Sequence, residues 1–306
     1  MMYQHPLAYL LGIEGLALLH GWGGEYDEEF TQRRLAEVRT LLANPAFTGH
    51  EGVPVGRGDT RTGYRQWAAT YDEPRNSLFD IDEPVMHRRI EALPVGDALD
   101  AACGTGRHAE YLAGQGFTVI GVDSSPEMLE RARNRVPSGD FRLGDLRELP
   151  LPDDSVDLVV SGLALAHSPA LEPVLTEFAR VLRPGGHAVI SDTHCEIDFR
   201  GSVPHALGPD GEPGVVATYR HTAGDFVRAA LAAGLRIRAC EEPRGSGTDQ
   251  SPPPPPVPLA EAHPGDWAGW PWSLMALLPE AASAAWAIPA VIVWDFELPP
   301  EDPWPA

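Results

Sequence analysis

Apolar and polar residues alternate along the middle of the chain in blocks that predict an ordered series of strands and helices. Short apolar runs, typical of buried parallel strands, are separated by segments with helical spacing. The predicted strands span residues 99–103, 117–122, 140–143, 156–161, 187–192, 235–241 and 290–297. The predicted helices span residues 84–93, 105–115, 126–136, 171–182 and 222–233. Strands that alternate with helices form parallel sheets, so the pattern predicts an α/β fold with a doubly wound, seven-stranded sheet.

The first part of the chain has a different, purely helical pattern. Residues 1 to about 45 predict two helices, the second with Asp27 as its cap, and a glycine-rich connection follows. We therefore expect a helical N-terminal extension, residues 1–63, which either packs on the main domain or another subunit or acts as a lid. The main domain is predicted over residues 64–298, with an insertion at 243–286 and a flexible tail at 299–306.

The insertion is rich in proline and tryptophan. Pro252 to Pro256 predict a stiff, exposed linker. Trp267, Trp270 and Trp272 follow, and they either pack this segment down or form a wall beside an apolar ligand.

Two glycines directly follow the first predicted strand of the main domain. Gly104-x-Gly106-x-x-Ala109 fits a nucleotide-binding pattern in which the backbone turns tightly and approaches a ligand closely. Asp123 ends the next predicted strand, where a carboxylate can accept hydrogen bonds from ribose hydroxyls. The stretch from Leu99 to Asp123 is therefore predicted to be a βαβ unit with a ligand crevice at its strand ends.

The acidic residue Asp100, just before the glycines, separates two ligand classes. A dinucleotide such as NAD places its pyrophosphate on this turn, and a nearby carboxylate would repel it. S-adenosylmethionine (SAM) has no phosphate and carries an ammonium and a sulfonium that a carboxylate stabilises. The sequence favours SAM as the cofactor, and an NAD-dependent oxidoreductase is the less favoured alternative.

Four motifs in order extend this interpretation over more than half the chain. They are DAACGTGR at 100–107, VDSSPEML at 122–129, GDLRELPLPDDSVDLVVS at 144–161 and RVLRPGG at 180–186. With them the chain resembles the class I SAM-dependent methyltransferases, in the small-molecule branch similar to the quinone-biosynthesis enzymes. The resemblance implies a Rossmann-like fold and a set of cofactor-binding residues. These are Tyr71, Asp100, Ala102, Gly104, Gly106, Asp123, Ser124, Met128, Gly144, Asp145, Leu146 and Ser161.

Histidines near the ends of the later strands are candidates for the acceptor site. His167 is the predicted general base for an oxygen acceptor, because its ordinary pKa lies near neutral pH; a histidine that bonds loop carbonyls is the structural alternative. Tyr64, His194 and His221 are candidate substrate contacts. The three histidines could suggest a metal, but no carboxylate has suitable spacing, so no metal site is predicted.

Composition narrows the class of partner. The 306 residues carry a net charge of −21, which argues against nucleic acid as a partner. The 23 basic residues are all arginine, which excludes lysine-based chemistry.

The three cysteines are scattered, which favours reduced thiols in a cytoplasmic protein. The apolar run near the N-terminus is too short and interrupted to span a membrane. We expect a monomer or a homodimer.

The sequence thus predicts transfer of a methyl group from SAM to a small organic acceptor. Whether oxygen, nitrogen or carbon is methylated stays open, and so does the need for a base. A SAM-binding protein that does not methylate, whether a regulatory partner or an enzyme of another biosynthetic step, is the second alternative, since the cofactor motifs would be the same.

Overall fold

A computed structural model describes residues 2–68, 71, 76, 78–200, 203–208, 210–243 and 257–300. The predicted proline linker at 252–256 and the last six residues lie outside this set. The strands are β1 (Met2–Gln4), β2 (Val53–Gly58), β3 (Asp97–Ala101), β4 (Thr118–Asp123), β5 (Asp140–Leu143), β6 (Val156–Gly162), β7 (Leu182–Thr193), β8 (His205–Leu207), β9 (Pro213–Val216), β10 (Arg236–Glu241) and β11 (Val291–Glu297).

The helices lie between these strands. They are α1 (Pro6–Trp22), α2 (Glu28–Ala43), α3 (Pro45–Thr48), α4 (Thr60–Trp67), α5 (Phe79–Glu91), α6 (Arg107–Gly114), α7 (Pro126–Arg135), α8 (Glu172–Val181), α9 (Cys195–Phe199), α10 (Ala223–Ala232), α11 (Trp272–Met275) and α12 (Pro279–Ala285). Short 3₁₀ turns are present at Leu165–His167 and Trp267–Gly269.

Seven described strands form one mainly parallel sheet in the order β10-β11-β7-β6-β3-β4-β5. The five strands from β7 to β5 run parallel, and β11 is antiparallel to both of its neighbours. The chain moves outward from β3 in one direction through β4 and β5, and in the other through β6 and β7. The predicted doubly wound fold is confirmed, and its switch point lies between the ends of β3 and β6, where open α/β sheets bind ligands.

Both faces of this sheet are buried. One apolar cluster includes Leu99 of β3, Phe178 of α8 and Phe226 of α10, and another includes Met86 of α5 and Leu112 of α6. Burial on both faces explains why the strands appear as continuous apolar runs in the sequence. The two clusters hold the strand ends at fixed positions, which is what a precise site requires.

The helix starts follow the predicted capping chemistry. Asp27 accepts a hydrogen bond from the Phe30 amide at 2.8 Å, which caps α2. The Ser125 hydroxyl accepts from the Met128 amide at 3.3 Å, which caps α7 with Pro126 as its first residue.

Three predictions about these elements are wrong. The strand expected over residues 187–192 begins earlier, at Leu182, and contains the segment Arg183 to Gly186 that was expected to precede it. The helix expected over residues 84–93 begins earlier, at Phe79, and contains Pro84. The glycine- and proline-rich segment 201–214, expected as a loop, contributes β8 and β9 to a second sheet of order β1-β2-β9-β8. Strands this short carry little pattern, and β9 pairs with β2, which is far away in the sequence.

The contacts divide the chain into two compact units. One comprises the described parts of Met1–Gly58, Ser202–Val216 and Ser246–Ile288, and the other holds the seven-stranded sheet. The first unit contains the four-stranded sheet and an apolar core made by α1, α2, α11 and α12. Trp270 is buried in that core, the Trp267 indole donates to the Gln4 side chain at 2.7 Å, and Trp272 is exposed.

A charged cluster is buried within the helical part of this first unit. Glu14 of α1 and Arg34 of α2 are both inaccessible to solvent, and their side chains approach to 3.4 Å. Arg34 is also paired with Glu37 at 2.8 Å and Glu280 at 3.3 Å, so one guanidinium serves three carboxyl groups. Burial, with the neighbouring Glu37, raises the pKa of Glu14 to about 9, and Glu14 is therefore protonated at neutral pH.

This buried acid predicts a loss of stability in base. Because the Glu14 pKa rises from 4.5 to about 9 on folding, the folded state binds more protons between these values, and stability falls as the pH rises through this window. The urea concentration at the midpoint of unfolding should stay constant between pH 6 and pH 9 in the variant Glu14→Gln. In the wild type this midpoint should fall over the same range. Glu29→Gln, on an exposed position of α2, is the control. Equal pH dependence in wild type and Glu14→Gln would contradict this assignment.

Candidate active site

The turn after β3 is made of residues with positive φ angles. Gly104 has φ of 53° and Gly106 of 86°, values that glycine adopts without steric cost, and Ala102 has φ of 59°. The Gly106 amide donates to the Cys103 carbonyl at 2.8 Å, which closes the turn directly before α6 begins. The backbone therefore brings the N-terminus of α6 to the end of β3.

The two glycines of the turn serve different purposes. A Cβ on Gly106 would lie 3.1 Å from the Cα of Ala132, so this glycine allows α6 and α7 to pack closely. A Cβ on Gly104 would meet no described atom within 4 Å. The bare face of Gly104 therefore borders open space into which a ligand can press.

Asp123 ends β4 beside this space. One of its carboxylate oxygens accepts from the Gly104 amide at 2.9 Å, and the other accepts from the Ser125 amide at 2.8 Å. Burial raises the pKa of Asp123, and hydrogen bonds from the Ser125, Gly104 and Ser124 amides oppose the rise. The carboxylate thus ties the glycine turn to the start of α7 and retains lone pairs for ribose hydroxyls.

Asp100 lies deep inside the fold. It is almost fully buried in β3, and one carboxylate oxygen accepts from the Ala109 amide of α6 at 2.8 Å. Burial raises the pKa of Asp100 to about 7, although this hydrogen bond and Arg107 lower it. One oxygen therefore holds α6 in place, and the ionised form supplies a negative charge near the turn.

This titration predicts pH-dependent SAM binding. Because the Asp100 pKa is about 7, the carboxylate is mostly neutral below that pH and mostly charged above it. A cationic ligand binds the charged form better, so we expect the dissociation constant for SAM, measured by calorimetry, to rise by about tenfold between pH 8 and pH 6. Asp100→Asn should remove most of this dependence. If the dissociation constant for SAM changed with pH in Asp100→Asn as it does in the wild type, Asp100 would be excluded as the cause of the pH dependence.

The third motif is arranged differently from what the resemblance implies. Asp145, expected to accept from the adenine amino group, makes a two-point ion pair with Arg147 at 2.6 and 2.9 Å at an exposed position. Arg147 lowers the pKa of Asp145 to about 2. The Gly144 amide donates to the Asp123 carbonyl at 3.0 Å, and Leu146 packs against the core. An adenine contact through Asp145 stays a prediction and would compete with this pair.

The other predicted cofactor residues on α7 and β6 are buried or nearly so. Met128 is fully buried in the first turn of α7, and the Ser124 amide supports Asp123. Ser161, near the end of β6, is fully buried, and its hydroxyl has no hydrogen-bond partner among the described residues. Gly162 follows, and a Cβ there would collide with the ring of His108.

His167 is bonded through both ring nitrogens. Nδ1 lies 3.0 Å from the Ala217 carbonyl, and Nε2 lies 2.9 Å from the hydroxyl of Tyr64. Burial lowers the pKa of His167, while the hydrogen bond to Ala217 raises it slightly, so the ring is neutral at pH 7. The structural alternative for His167, a bond to a loop carbonyl, is therefore observed together with a bond to a predicted substrate residue.

Tyr64 and Tyr71 are brought together near the strand ends. Their ring centroids are 5.8 Å apart, and their hydroxyls are hydrogen-bonded. Burial, Tyr71 and the carboxylates of Asp123 and Asp192 raise the pKa of Tyr64 well above its ordinary value. The predicted cofactor residues Tyr71 and Asp123 and the candidate base His167 therefore belong to one neighbourhood.

The other two candidate histidines are occupied elsewhere. His194 Nε2 lies 3.2 Å from the Glu242 carboxylate, and His221 Nε2 donates to the Ser168 carbonyl at 2.9 Å. In the part of the chain that the structure describes, no three histidine, cysteine or acidic side chains converge as a metal site would require. Contact of His194 and His221 with the substrate stays a prediction.

Sequence reasoning missed several polar residues of this region. Asp192 is buried near the end of β7 and acts electrostatically on Tyr64. Arg107, directly after the glycine turn, pairs with Asp82 at 3.1 Å, and Asp82 also accepts from the Ser191 hydroxyl at 2.8 Å. The position of Asp192 at a strand end was a usable signal, whereas nothing in the sequence predicts the pairing of α5 with β7.

The sheet order, the glycine turn after β3 and the acidic residue ending β4 define a class I SAM-dependent methyltransferase domain, with SAM as its cofactor. Residues 99–190 match the family described as a methyltransferase domain. The match covers less than half of the chain. The open face of Gly104 beside Asp123 fits this cofactor, and the alternative of an NAD-dependent oxidoreductase is not supported.

Curated relatives agree over this part of the chain. The chain is 43% identical over 93 residues to malonyl-[acyl-carrier protein] O-methyltransferase of Yersinia pestis, which is 30% of this chain and 35% of that protein. It is 40% identical to arsenite methyltransferase of Halobacterium salinarum over 32% of this chain and 26% of the relative. Methyltransferase GfsG of Streptomyces halstedii is 39% identical over 35% of this chain and 41% of that protein. The matches therefore span less than half the length of these relatives.

Solved structures support the fold. One is a complex between the Trm112 methyltransferase activator of Haloferax volcanii and a methyltransferase, with a TM-score of 0.58, 20% identity and coverage of 80% of this chain and 99% of that chain. Another is the DhpI–SAH complex, with a TM-score of 0.52 and 20% identity. The match covers 79% of this chain and 95% of that chain. Within the described residues, none of the helices is long and apolar enough to cross a membrane.

Proposed function

We propose that the protein transfers the methyl group of SAM to a small organic acceptor. The observation that carries this proposal is the turn at Gly104, whose side open to a ligand lies beside the buried carboxylate of Asp123. Both belong to the segment that matches the methyltransferase family. A glycine without neighbours on its open side admits a ligand against the backbone, and the carboxylate fixes the ligand's ribose.

The residues at the strand ends divide the work of binding. Asp123 would accept from the ribose hydroxyls, and Asp100 would provide negative charge near the methionine end. Bound SAM supplies an electrophilic methyl group on a positively charged sulfur. Alignment of the acceptor with that methyl group, and exclusion of water by the half-buried, mutually packed aromatic residues Tyr64 and Trp67, would supply most of the rate.

The acceptor is inferred to be a small molecule. A net charge of −21 disfavours nucleic acid, whose binding needs clustered basic residues. The matched relatives are named for a malonyl carrier protein and for arsenite, so their acceptors differ from one another. The similarity to quinone-biosynthesis enzymes and a monomeric or dimeric, cytoplasmic state stay predictions.

Calorimetry with SAM, S-adenosylhomocysteine and NAD tests the cofactor, and detection of S-adenosylhomocysteine with a panel of small acceptors tests the reaction. We expect micromolar binding of SAM, no binding of NAD and turnover with at least one acceptor. Binding of NAD without SAM would overturn the proposal. Binding of SAM without turnover across the panel would favour the non-methylating alternative.

A further inference from the structure

A chain of hydrogen bonds of defined direction leads away from the cofactor region. The Ala217 carbonyl can only accept, so the His167 Nδ1 that lies 3.0 Å from it carries the proton. In the neutral ring the other nitrogen, Nε2, is then an acceptor. The Tyr64 hydroxyl, 2.9 Å from Nε2, must therefore donate its proton to it.

The Tyr64 hydroxyl is also hydrogen-bonded to the Tyr71 hydroxyl. The only proton of the Tyr64 hydroxyl is committed to His167. The charged groups that act on Tyr64 are Asp123 and Asp192, at the ends of β4 and β7. The Tyr64 oxygen therefore bonds to His167 and is also close enough to these two carboxylates to feel their charge.

We propose that Tyr64 contacts a hydroxyl group of the acceptor and that His167 receives the proton through Tyr64. The inference rests on the proposed methyl transfer and deepens it, because it names a hydroxyl-bearing acceptor. His167 is then a positioning and proton-accepting residue, and Tyr64 is the catalytic residue. This assignment differs from direct proton removal by His167, whose Nε2 is already occupied by Tyr64.

The proton balance of the step is complete. The acceptor hydroxyl gives its proton to the Tyr64 oxygen while Tyr64 gives its own proton to Nε2 of His167. The acceptor oxygen forms a bond to the methyl carbon, and the bond between that carbon and sulfur breaks with its electron pair going to sulfur. The resulting imidazolium keeps its Nδ1 proton on Ala217 and later returns the extra proton to solvent.

The surroundings favour a relay over a stable tyrosinate. Burial and the nearby carboxylates raise the pKa of Tyr64, so a charged tyrosinate beside them is disfavoured. Both protons must then move together. The positive charge that reaches His167 is held by the hydrogen bond from Nδ1 to the Ala217 carbonyl. An acceptor that is already a carboxylate, or a free amine, would have no use for this chain.

The test compares Tyr64→Phe, His167→Gln and the double variant. Controls are Tyr111→Phe, which loses a hydroxyl bonded to Glu91, and His187→Gln, at the opposite end of the sheet beside Asp295. We expect kcat for a hydroxyl acceptor to fall about a hundredfold in each single variant and no further in the double variant. SAM affinity should change less than threefold, and the controls should match the wild type.

Two further measurements separate a relay from a merely structural role. The kcat of the wild type should fall at acidic pH as His167 becomes protonated, below the pH at which an ordinary histidine titrates, because burial lowers its pKa. Tyr64→Phe should lose that dependence. Nitrogen NMR without any ligand should show His167 protonated at Nδ1. The Nε2 signal should move in Tyr64→Phe and stay unchanged in Tyr111→Phe.

Each outcome decides between the proposals. Multiplicative losses in the double variant, or full activity of Tyr64→Phe, would overturn the relay. A wild type that binds SAM and methylates only amines or carboxylates would overturn the relay and leave methyl transfer intact. A wild type that does not bind SAM would overturn the proposed function itself.

Discussion

Replacing Asp123 by alanine should weaken SAM binding by at least about a hundredfold. The carboxylate accepts from the Gly104 amide at 2.9 Å and from the Ser125 amide at 2.8 Å, and we propose that it also accepts from the ribose hydroxyls. A hydrogen bond to a charged group contributes about 1.5–3 kcal/mol, so losing two ribose contacts corresponds to about a hundredfold or more. Calorimetry with SAM measures the change directly.

The control for this variant is Asp140→Ala. Asp140 begins β5, is exposed and pairs with Arg142, so its loss leaves the turn intact. Asp123→Asn adds information, because its side-chain oxygen can still accept one amide while the charge is gone. SAM affinity in Asp123→Ala within threefold of the wild type would exclude Asp123 from the cofactor site.

Much of the sheet could be predicted because its pattern is local. Each central strand is buried on both faces and therefore appears as an apolar run, and its bounds agree with the prediction within about one or two residues at β4, β5 and β6. Caps such as Asp27 and Ser125 are also local signals, since each bonds an amide three residues on. Such features need no knowledge of distant contacts.

The second sheet could not be predicted in the same way. Strand β9 pairs with β2 through Val215 and Arg57, residues separated by most of the main domain. Strands of three or four residues have too few positions to show a period, and flanking glycines and prolines favour a loop. Only the tertiary structure reveals that they are paired.

Some proximities among the candidate site residues follow from the sequence, and others do not. Gly104 and Asp123 lie together because the ends of β3 and β4 are adjacent in a parallel sheet. The pairing of Tyr64 with His167 joins residues 103 positions apart, and no spacing rule reaches that far. Arg147 stands two residues after Asp145 in the sequence, so their ion pair could have been anticipated.

The most direct probe of the open space in front of the turn is Gly104→Ala. A Cβ at this position would meet no described atom within 4 Å, so the folded protein has room for it and only the positive φ of 53° is unfavourable. That conformation costs an alanine about 1–2 kcal/mol. A bound ligand pressed against the bare backbone would instead collide with the new methyl group.

We therefore expect Gly104→Ala to fold and to lose SAM binding by about a hundredfold or more, because the clash arises only in the complex. Gly185→Ala is the matched control: its φ is 85°, its Cβ also meets no described atom within 4 Å, and it lies near the start of β7, at the amino end of the sheet. Both variants should lower the thermal midpoint by similar amounts, and calorimetry should find SAM binding retained in Gly185→Ala alone. Equal affinity in the two variants would mean that the cofactor does not lie on this turn, since the shared backbone strain is then the only effect of either substitution.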